Sequence, residues 1–130
     1  MKQFTSRTQK IGELGEDIAV RFLVKQGFKI LERNYTLKTG EIDIVTTNND
    51  QLVFWEVKTI QCSMGNVSRG TYNPFTNIND KKLKRFVKTV EHYLYSHNVP
   101  HETSFCIHAA AVFLDLSKRE AKVEIMENIV

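Results

Sequence analysis

Two apolar, strand-like segments of this chain carry charged residues where a covered sheet would carry none. They run Gly40-Glu41-Ile42-Asp43-Ile44-Val45 and Leu52-Val53-Phe54-Trp55-Glu56-Val57-Lys58, with a polar turn between them. Burying a carboxylate costs free energy unless a cation or hydrogen bonds compensate for it. Asp43, Glu56 and Lys58 on neighbouring strands therefore indicate a metal-dependent site more than a scaffold.

The loop between the segments decides whether these acids meet. Alternation along a strand places Glu56 and Lys58 on one face, opposite Trp55. An even loop, of two residues at Asn49-Asp50 or of four at 48–51, sets Asp43 opposite Glu56. A three-residue loop would set Asp43 against Trp55 on the wrong face. We predict the even register, in which Glu41, Asp43 and Val45 share a face opposite Ile42 and Ile44, and Glu41 lies opposite Lys58.

The even register predicts a cation site. The Cβ atoms of Asp43 and Glu56 would lie roughly 5 Å apart, and both carboxylates cannot ionise cheaply there without a cation. Mg²⁺ or Mn²⁺ suits an all-oxygen site, whereas zinc would favour His or Cys. We predict that Asp43, Glu56 and the backbone carbonyl of Val57 bind the ion. Lys58 would orient or deprotonate the attacking water, or stabilise charge on a phosphate.

The alternative to this site is a surface hairpin with an ordinary salt bridge. The segments are apolar on both faces, as in a covered sheet, which argues against that alternative. Glu41 is predicted to be a neighbour of Lys58 or a turn residue rather than a metal ligand.

A fourth candidate comes from the first predicted helix. Gly12, Gly15, Glu16 and Ala19 lie on one stripe of that helix. Each helical glycine costs about 1 kcal/mol relative to alanine, so two together indicate a close approach. We predict that the stripe packs on the sheet and that Glu16 reaches the metal pocket. In the alternative, Glu16 is an exposed helix residue and the glycines serve packing alone.

A basic cluster indicates a polyanionic partner. The net charge is only +3, from 18 basic and 15 acidic residues, but five of the basic residues lie in one short segment. This cluster fits contacts to nucleic-acid phosphates, and a solvated helix face is the alternative. Its members are Lys81, Lys82, Lys84, Arg85 and Lys88.

The remaining features predict one domain over residues 1–130, located in the cytoplasm. No apolar run approaches the roughly 20 residues that span a bilayer, and the N-terminus lacks a signal-peptide pattern. Cys62 and Cys106 are too few for a disulfide framework or a zinc site.

The periodicity predicts an α/β protein with a central mixed sheet flanked by helices. The predicted order is helix, three strands, helix, two strands. Helices are expected over 7–26 and from 79 or 80 to 96, strands over 28–35, 41–47, 52–58, 105–116 and 121–127, and a loop over 59–79.

The same motifs resemble a known family. Gly12-x-x-Gly15-Glu16-x-x-Ala19, Gly27-Phe28-x-Ile30-Leu31-x-x-Asn34, Gly40-Glu41-Ile42-Asp43-Ile44 and Val53-Phe54-x-Glu56-Val57-Lys58-Thr59 are similar to the YraN family. These small bacterial proteins resemble Holliday junction resolvases of the PD-(D/E)xK group, with the restriction-endonuclease-like fold. The resemblance covers residues 10–115.

The resemblance implies metal-dependent cleavage of DNA phosphodiester bonds by water. Glu16, Asp43, Glu56 and Lys58 match the family's predicted active-site residues. Mg²⁺ or Mn²⁺ is the implied cofactor, DNA, including branched junctions, is the implied substrate, and a homodimer is the implied assembly. Ile60 stands where the family often has a basic residue, and the family's late Arg-Phe-Asp is not kept in Ser104–Ala109. These departures allow an alternative, a non-catalytic nucleic-acid-binding module that retains the fold. A protein-interaction module that docks a partner through residues 59–79 is a third reading.

Overall fold

A computed structural model describes residues 6–63 and 79–130, and these form two helices and five strands in the predicted order. The helices are α1 (Arg7–Lys25) and α2 (Asp80–Ser96). The strands are β1 (Lys29–Leu37), β2 (Gly40–Asn48), β3 (Gln51–Gln61), β4 (Phe105–Asp115) and β5 (Glu120–Met126). No helix in the described part of the chain is long and apolar enough to cross a membrane.

The five strands form one mixed sheet in the order β1-β2-β3-β4-β5. β3 and β4 are parallel, and the other neighbouring pairs are antiparallel. β3 is longer than predicted because Thr59, Ile60 and Gln61 continue to pair with β4. The loop prediction for 59–79 is therefore wrong at 59–61, and residues 64–78 lie outside the described residues.

Both helices begin at a side-chain cap. Ser6 accepts a hydrogen bond from the backbone N–H of Gln9 at 3.0 Å, and the Gln9 side chain accepts one from the Ser6 N–H. Asn79 accepts from the N–H of Lys82 at 2.8 Å, as the sequence predicts for this helix start. These bonds satisfy N–H groups that have no partner within the helix.

The two faces of the sheet carry separate hydrophobic cores. Ala19 and Leu23 of α1 pack with Trp55 on one face. Phe86 and Val90 of α2 pack with Phe54 on the other. Because successive β3 residues enter opposite cores, both faces of this strand are covered, which explains its nearly continuous apolar sequence.

The turn between β2 and β3 has two residues, and it confirms the even register. Asn49 and Asp50 both have positive φ, 52° and 63°, as a type I′ hairpin turn requires. Asn48 pairs with Gln51, and the ladder continues to Ile44 opposite Trp55.

Candidate functional site

The candidate site lies where β2 separates from β3. The ladder between the two strands ends at Ile44 and Trp55. At the next position, Oδ2 of Asp43 accepts a hydrogen bond from the backbone N–H of Val57 at 2.7 Å. A carboxylate thus takes the place of a carbonyl from the partner strand. β3 meanwhile remains paired with β4 as far as Gln61, so a cleft opens between β2 and β3.

The side-chain alternation of β2 is interrupted at Asp43. Ile42 packs in the core beneath α2, whereas Ile44 packs in the core beneath α1. The prediction that Ile42 and Ile44 share a face is therefore wrong. On the neighbouring strand, Asn34 has a positive φ of 53° and lies between the paired residues Arg33 and Tyr35. Both strands thus depart from regular geometry at the level of Asp43, which places this carboxylate within reach of both faces of the sheet.

On the α2 side, Asp43 lines a cleft of about 240 Å³ together with Glu56. A hydrogen bond between the hydroxyls of Thr39 and Thr89, 2.9 Å long, ties α2 to the start of β2 and so positions this wall. The cleft is lined by Gly40, Glu41, Asp43, Glu56, Lys82, Arg85 and Phe86.

On the α1 side, Asp43 lines a wider, more open cavity with Glu16 and Glu41. Its other lining residues are Gln9, Glu13, Asp17, Arg33, Asn34 and Thr36. Asp43 and Glu41 belong to both openings, so the two cavities meet at the edge of β2.

The pKa of Asp43 reflects its burial first and the neighbouring acids second. Burial raises the pKa of Asp43 from 3.8 to about 8, and the neighbouring charge of Glu56 adds to the rise. The hydrogen bond from Val57 lowers the pKa, while the charges of Glu41 and Glu16 raise it further. A carboxyl group surrounded by like charges holds its proton until a cation replaces it.

Glu16 faces the same cavity and is held by Arg33 of β1. Oε1 of Glu16 lies 3.2 Å from Nη2 of Arg33, and the same guanidinium lies 2.7 Å from Asp17. Burial raises the pKa of Glu16, and the hydrogen bond and charge of Arg33 oppose that rise. Glu16 therefore lines the cavity that contains Asp43 and Glu41, whereas it does not line the cleft that contains Glu56. Its predicted approach to a metal bound at Asp43 and Glu56 stays a prediction.

The close approach predicted for the α1 glycines occurs at one of them. A Cβ built on Gly15 would lie 2.0 Å from Oγ1 of Thr59 and 2.8 Å from its Cβ. Gly12 is exposed, and a Cβ there would meet nothing within 4 Å. The two-glycine interpretation is thus wrong for Gly12. Gly15 is where α1 approaches Thr59 of β3 most closely of the two glycines, and it directly precedes Glu16.

Lys58 lies two residues after Glu56 on β3 and is half-buried. It pairs through its backbone with Ala111 of β4 and makes no ion pair with any residue of 6–63 and 79–130. The predicted pairing with Glu41 is not formed, because the β2–β3 ladder has already ended and Glu41 pairs with Thr36 of β1.

The basic cluster divides between the cleft and the outer surface of α2. Nζ of Lys82 lies 2.7 Å from Oε1 of Glu56, and Arg85 lines the same cleft. Lys81, Lys84 and Lys88 are exposed. The cluster is thus partly a solvated helix face and partly a wall of the acidic cleft.

The donor atoms at the cleft suit a hard divalent cation, provided that backbone, water or substrate supplies its remaining ligands. Asp43 and Glu56 supply carboxylate oxygens, the ligands that Mg²⁺ and Mn²⁺ prefer. Across the described ranges, no group of three or more Asp, Glu, His or Cys side chains is close enough to hold an ion unaided. The residues therefore fit an ion that takes the rest of its ligands from backbone, water and substrate, as Mg²⁺ commonly does.

Arg33 was not found from the sequence, whereas Lys82 and Glu41 were named without the contacts that they make. Arg33 and Lys82 form ion pairs with candidate acids, and Glu41 lines both cavities rather than serving as a partner of Lys58. Its place in a short segment rich in basic residues assigned Lys82 to the basic cluster, but which acid it meets depends on how α2 crosses the sheet. For Arg33, the sequence carried no signal, because its contacts with Glu16 and Asp17 depend on how α1 packs against β1.

The fold and the cleft define an α/β protein with an acidic opening where two sheet strands diverge. The profile of the uncharacterised protein family UPF0102 matches residues 15–122. The chain therefore belongs to this family, which is the YraN family indicated by its motifs.

Individual relatives extend over most of the chain. A UPF0102 protein of Alkaliphilus oremlandii is 34% identical over 121 residues, which cover 92% of this chain and 97% of the relative. One of Roseiflexus castenholzii is 31% identical and covers 92% of both chains. One of Clostridioides difficile is 39% identical over 88 residues, which cover 68% of this chain and 72% of the relative.

Among solved structures, a similarity was found to Pyrococcus furiosus SfsA in complex with Ca²⁺. The two chains are 16% identical, with a TM-score of 0.37. The match covers 92% of this chain and 63% of that chain. This similarity is too low to inform the fold or the site.

Proposed function

We propose that this protein is a divalent-metal-dependent endonuclease that hydrolyses DNA phosphodiester bonds. The observation that carries the proposal is that Asp43 and Glu56 line one cleft, at the point where the carboxylate of Asp43 ends the β2–β3 ladder. Burial, and to a smaller extent the neighbouring carboxylates, raise the pKa of Asp43 to about 8, and a bound cation would stabilise its ionised form.

The proposed fold assignment is the PD-(D/E)xK, restriction-endonuclease-like class. It is supported by the element order and by the mixed sheet with one helix on each face. In this assignment, Asp43 is the first motif acid, and Glu56 and Lys58 form the second motif on the neighbouring strand.

Two carboxylates and one backbone carbonyl at the cleft are the proposed metal ligands. Asp43 and Glu56 would bind Mg²⁺ or Mn²⁺ through carboxylate oxygens. The N–H and C=O of one extended residue point toward the same edge of a strand. Because the Val57 N–H points to Asp43, its carbonyl faces that side as well and is the proposed backbone ligand. The bound ion would polarise the phosphate and favour deprotonation of the attacking water.

Lys58 and Glu16 would act around the metal ligands. The ammonium of Lys58, two residues beyond Glu56 on β3, would orient the attacking water or stabilise charge on the phosphate. Glu16 faces Asp43 across the second cavity, where Arg33 holds its carboxylate in place. Glu16 would position water, because Arg33 already compensates its charge.

The proposed substrate is DNA, including branched junctions, and the proposed active assembly is a homodimer with one site for each strand to be cut. Lys82 and Arg85 at the cleft, with Lys81, Lys84 and Lys88 on the adjoining helix face, would contact phosphates.

The proposal is tested by incubating purified protein with junction, flap and linear duplex DNA in Mg²⁺ or Mn²⁺. We expect cleavage that EDTA stops and that Asp43→Asn or Glu56→Gln abolishes, with the circular dichroism spectrum unchanged. Lys118→Met, at an exposed turn residue, serves as the control variant. Cleavage that survives both acid substitutions would refute the assigned site.

A second candidate function is nucleic-acid binding without catalysis. It is favoured by the ion pair in which Lys82 already compensates Glu56. This function predicts salt-sensitive DNA binding that needs no metal. Charge reversal at Lys84 and Arg85 would then weaken binding more than Asp43→Asn does, and no DNA would be cut under any metal condition.

A further inference from the structure

Lys82 is the one residue of the basic cluster with an ion pair to a candidate metal ligand among the described residues. Its Nζ lies 2.7 Å from Oε1 of Glu56. The Glu56 side chain is 15% exposed, whereas that of Lys82 is 53% exposed. Glu56 is therefore largely buried in the cleft, whereas Lys82, which compensates its charge, lies at the solvent-exposed side of the cleft.

Glu16 and Glu56 each pair with a cation, and the two cations differ in how many carboxylates hold them. Arg33 contacts Glu16, but it also contacts Asp17 at 2.7 Å, so losing Glu16 would leave it one carboxylate. Within the described ranges, Lys82 has Glu56 as its sole ion-pair partner. Half-exposed lysine ion pairs are weak and readily exchanged. Lys82 is therefore the cation that can leave.

The surroundings of Lys82 determine where it would go. It lines the same cleft as Asp43 and Arg85. Its side chain also borders a small apolar hollow formed with Phe86 and Ile129 beside Glu56. Because Lys82 lines both the cleft and this hollow, its ammonium can move away from Glu56 and still remain at the cleft wall.

We propose that Lys82 alternates between two partners, Glu56 in the metal-free protein and a nucleic-acid phosphate once a divalent cation has bound at Glu56. This inference rests on the proposed function and deepens it, because it couples metal binding to DNA affinity. In the metal-free protein the ammonium compensates Glu56. When the divalent cation takes over that carboxylate, electrostatic repulsion drives Lys82 outward, where an incoming phosphate can accept it.

Coupling between metal binding and DNA binding at Lys82 has a consequence that a simple contact between Lys82 and a phosphate does not have. A lysine that only binds phosphate contributes equally with and without metal, and its removal leaves the metal affinity unchanged. A lysine that competes with the metal weakens metal binding, and it contributes to DNA affinity mainly when the metal is present. Reciprocal coupling of this kind follows from linkage between the two ligands.

The test compares Lys82→Met with Lys84→Met, which removes the same charge from an exposed position two residues away. Methionine retains an apolar stem beside Phe86 and Ile129, and thermal melting establishes that each variant is folded. Mn²⁺ affinity is measured by electron paramagnetic resonance of the free ion. Affinity for a junction oligonucleotide is measured by fluorescence anisotropy without divalent metal and with Ca²⁺.

We expect Lys82→Met to bind Mn²⁺ about five- to tenfold more tightly than the wild type, and Lys84→Met to change that affinity by less than about twofold. We expect Lys82→Met to weaken DNA binding more in Ca²⁺ than in its absence, whereas Lys84→Met weakens it equally in both conditions. Lys82→Arg should resemble the wild type in both measurements.

The ways in which the inference can fail are separable from failure of the proposed function. If Mn²⁺ binds the wild type and both lysine variants equally well, Lys82 does not compete with the metal and the inference is overturned while the metal site stands. If neither the wild type nor Lys82→Met binds Mn²⁺ at millimolar concentration, both the inference and the proposed metal-dependent function are overturned.

Discussion

The carboxylate of Asp43 and the backbone N–H of Val57 are joined by a 2.7 Å hydrogen bond at the place where β2 and β3 part. The Asp43 side chain thereby accepts a hydrogen bond from β3 at a position where the backbone of β2 no longer pairs with it. The same bond holds Asp43 beside Glu56, because Val57 follows Glu56 on β3. The separation of the strands and the crowding of the acids are thus one structural feature.

Asp43→Asn is expected to stabilise the metal-free protein at pH 8. Asparagine can still accept the hydrogen bond from Val57 through its side-chain oxygen, while the cost of burying a charged carboxylate and its repulsion from Glu56, Glu41 and Glu16 are removed. We expect the free energy of unfolding to increase by about 1 to 3 kcal/mol. Differential scanning fluorimetry in EDTA measures the change.

The pH dependence of this gain has a definite sign. The pKa of Asp43 is raised from 3.8 to about 8 in the folded protein. The folded state therefore holds a proton that the unfolded chain releases, and this contribution to stability is complete below pH 4 and is lost as the pH rises to about 8. The melting temperature of Asp43→Asn relative to the wild type should thus increase from pH 5 to pH 8. A large destabilisation at both pH values would assign Asp43 a structural role instead.

Gly15→Ala and Gly12→Ala form a matched pair that separates close packing from helix propensity. A Cβ at position 15 would overlap the Thr59 side chain, and the 2.8 Å approach to the Cβ of Thr59 cannot be relieved by a rotamer change. We expect a loss of about 1 to 3 kcal/mol of stability. At position 12 there is open space, and alanine should stabilise the helix by up to about 1 kcal/mol. Urea denaturation measures the free energy of unfolding of both variants. Equal changes in this free energy would contradict the packing described for α1.

Arg33→Met is expected to raise the pKa of Glu16 further. Burial already raises this pKa, and the Arg33 hydrogen bond and charge are the main opposing causes. Without Arg33, Glu16 should retain its proton to a higher pH. NMR titration of the Glu16 side-chain carboxyl carbon measures the shift directly, with Arg21→Met, an exposed position on the same helix, as the control. An unchanged titration would mean that Arg33 does not govern Glu16.

Most of the fold follows from local patterns in the sequence. Period-3.6 apolar stripes give the two helices, and turn residues such as Asn49 and Asp50 give the hairpin register, since both tolerate positive φ. The end of β3 was missed because Thr59, Ile60 and Gln61 precede a segment with glycine, proline and asparagine. Their strand state depends on pairing with β4, which is distant in sequence.

The candidate site was predictable only where it follows strand periodicity. The even register correctly placed Asp43 near Glu56, because it depends on loop length alone. The break in alternation between Ile42 and Ile44 was not predictable, because it lies at Asp43, whose side chain bonds to the backbone of another strand instead of following regular strand pairing. The contacts of Lys82 and Arg33 likewise depend on tertiary packing of separate elements.

Lys58→Met is expected to reduce cleavage without reducing stability. Lys58 is half-buried and has no ion pair with a described residue, so its charge contributes no described contact that the substitution would break. If the ammonium orients water or stabilises charge on the phosphate, its removal should lower the single-turnover rate by about 10²- to 10⁴-fold. The apparent DNA affinity in Ca²⁺ should change far less, because a group that acts in the transition state contributes little to ground-state binding.

The comparison that isolates this effect is Lys58→Met against Lys118→Met, which removes one positive charge from an exposed turn residue. Cleavage of a junction substrate by excess enzyme in Mn²⁺, followed over a pH series, reports the rate of the chemical step. A loss of DNA affinity as large as the loss of rate would reassign Lys58 to substrate binding. A rate equal to that of Lys118→Met would remove Lys58 from the mechanism and leave the two carboxylates as its core.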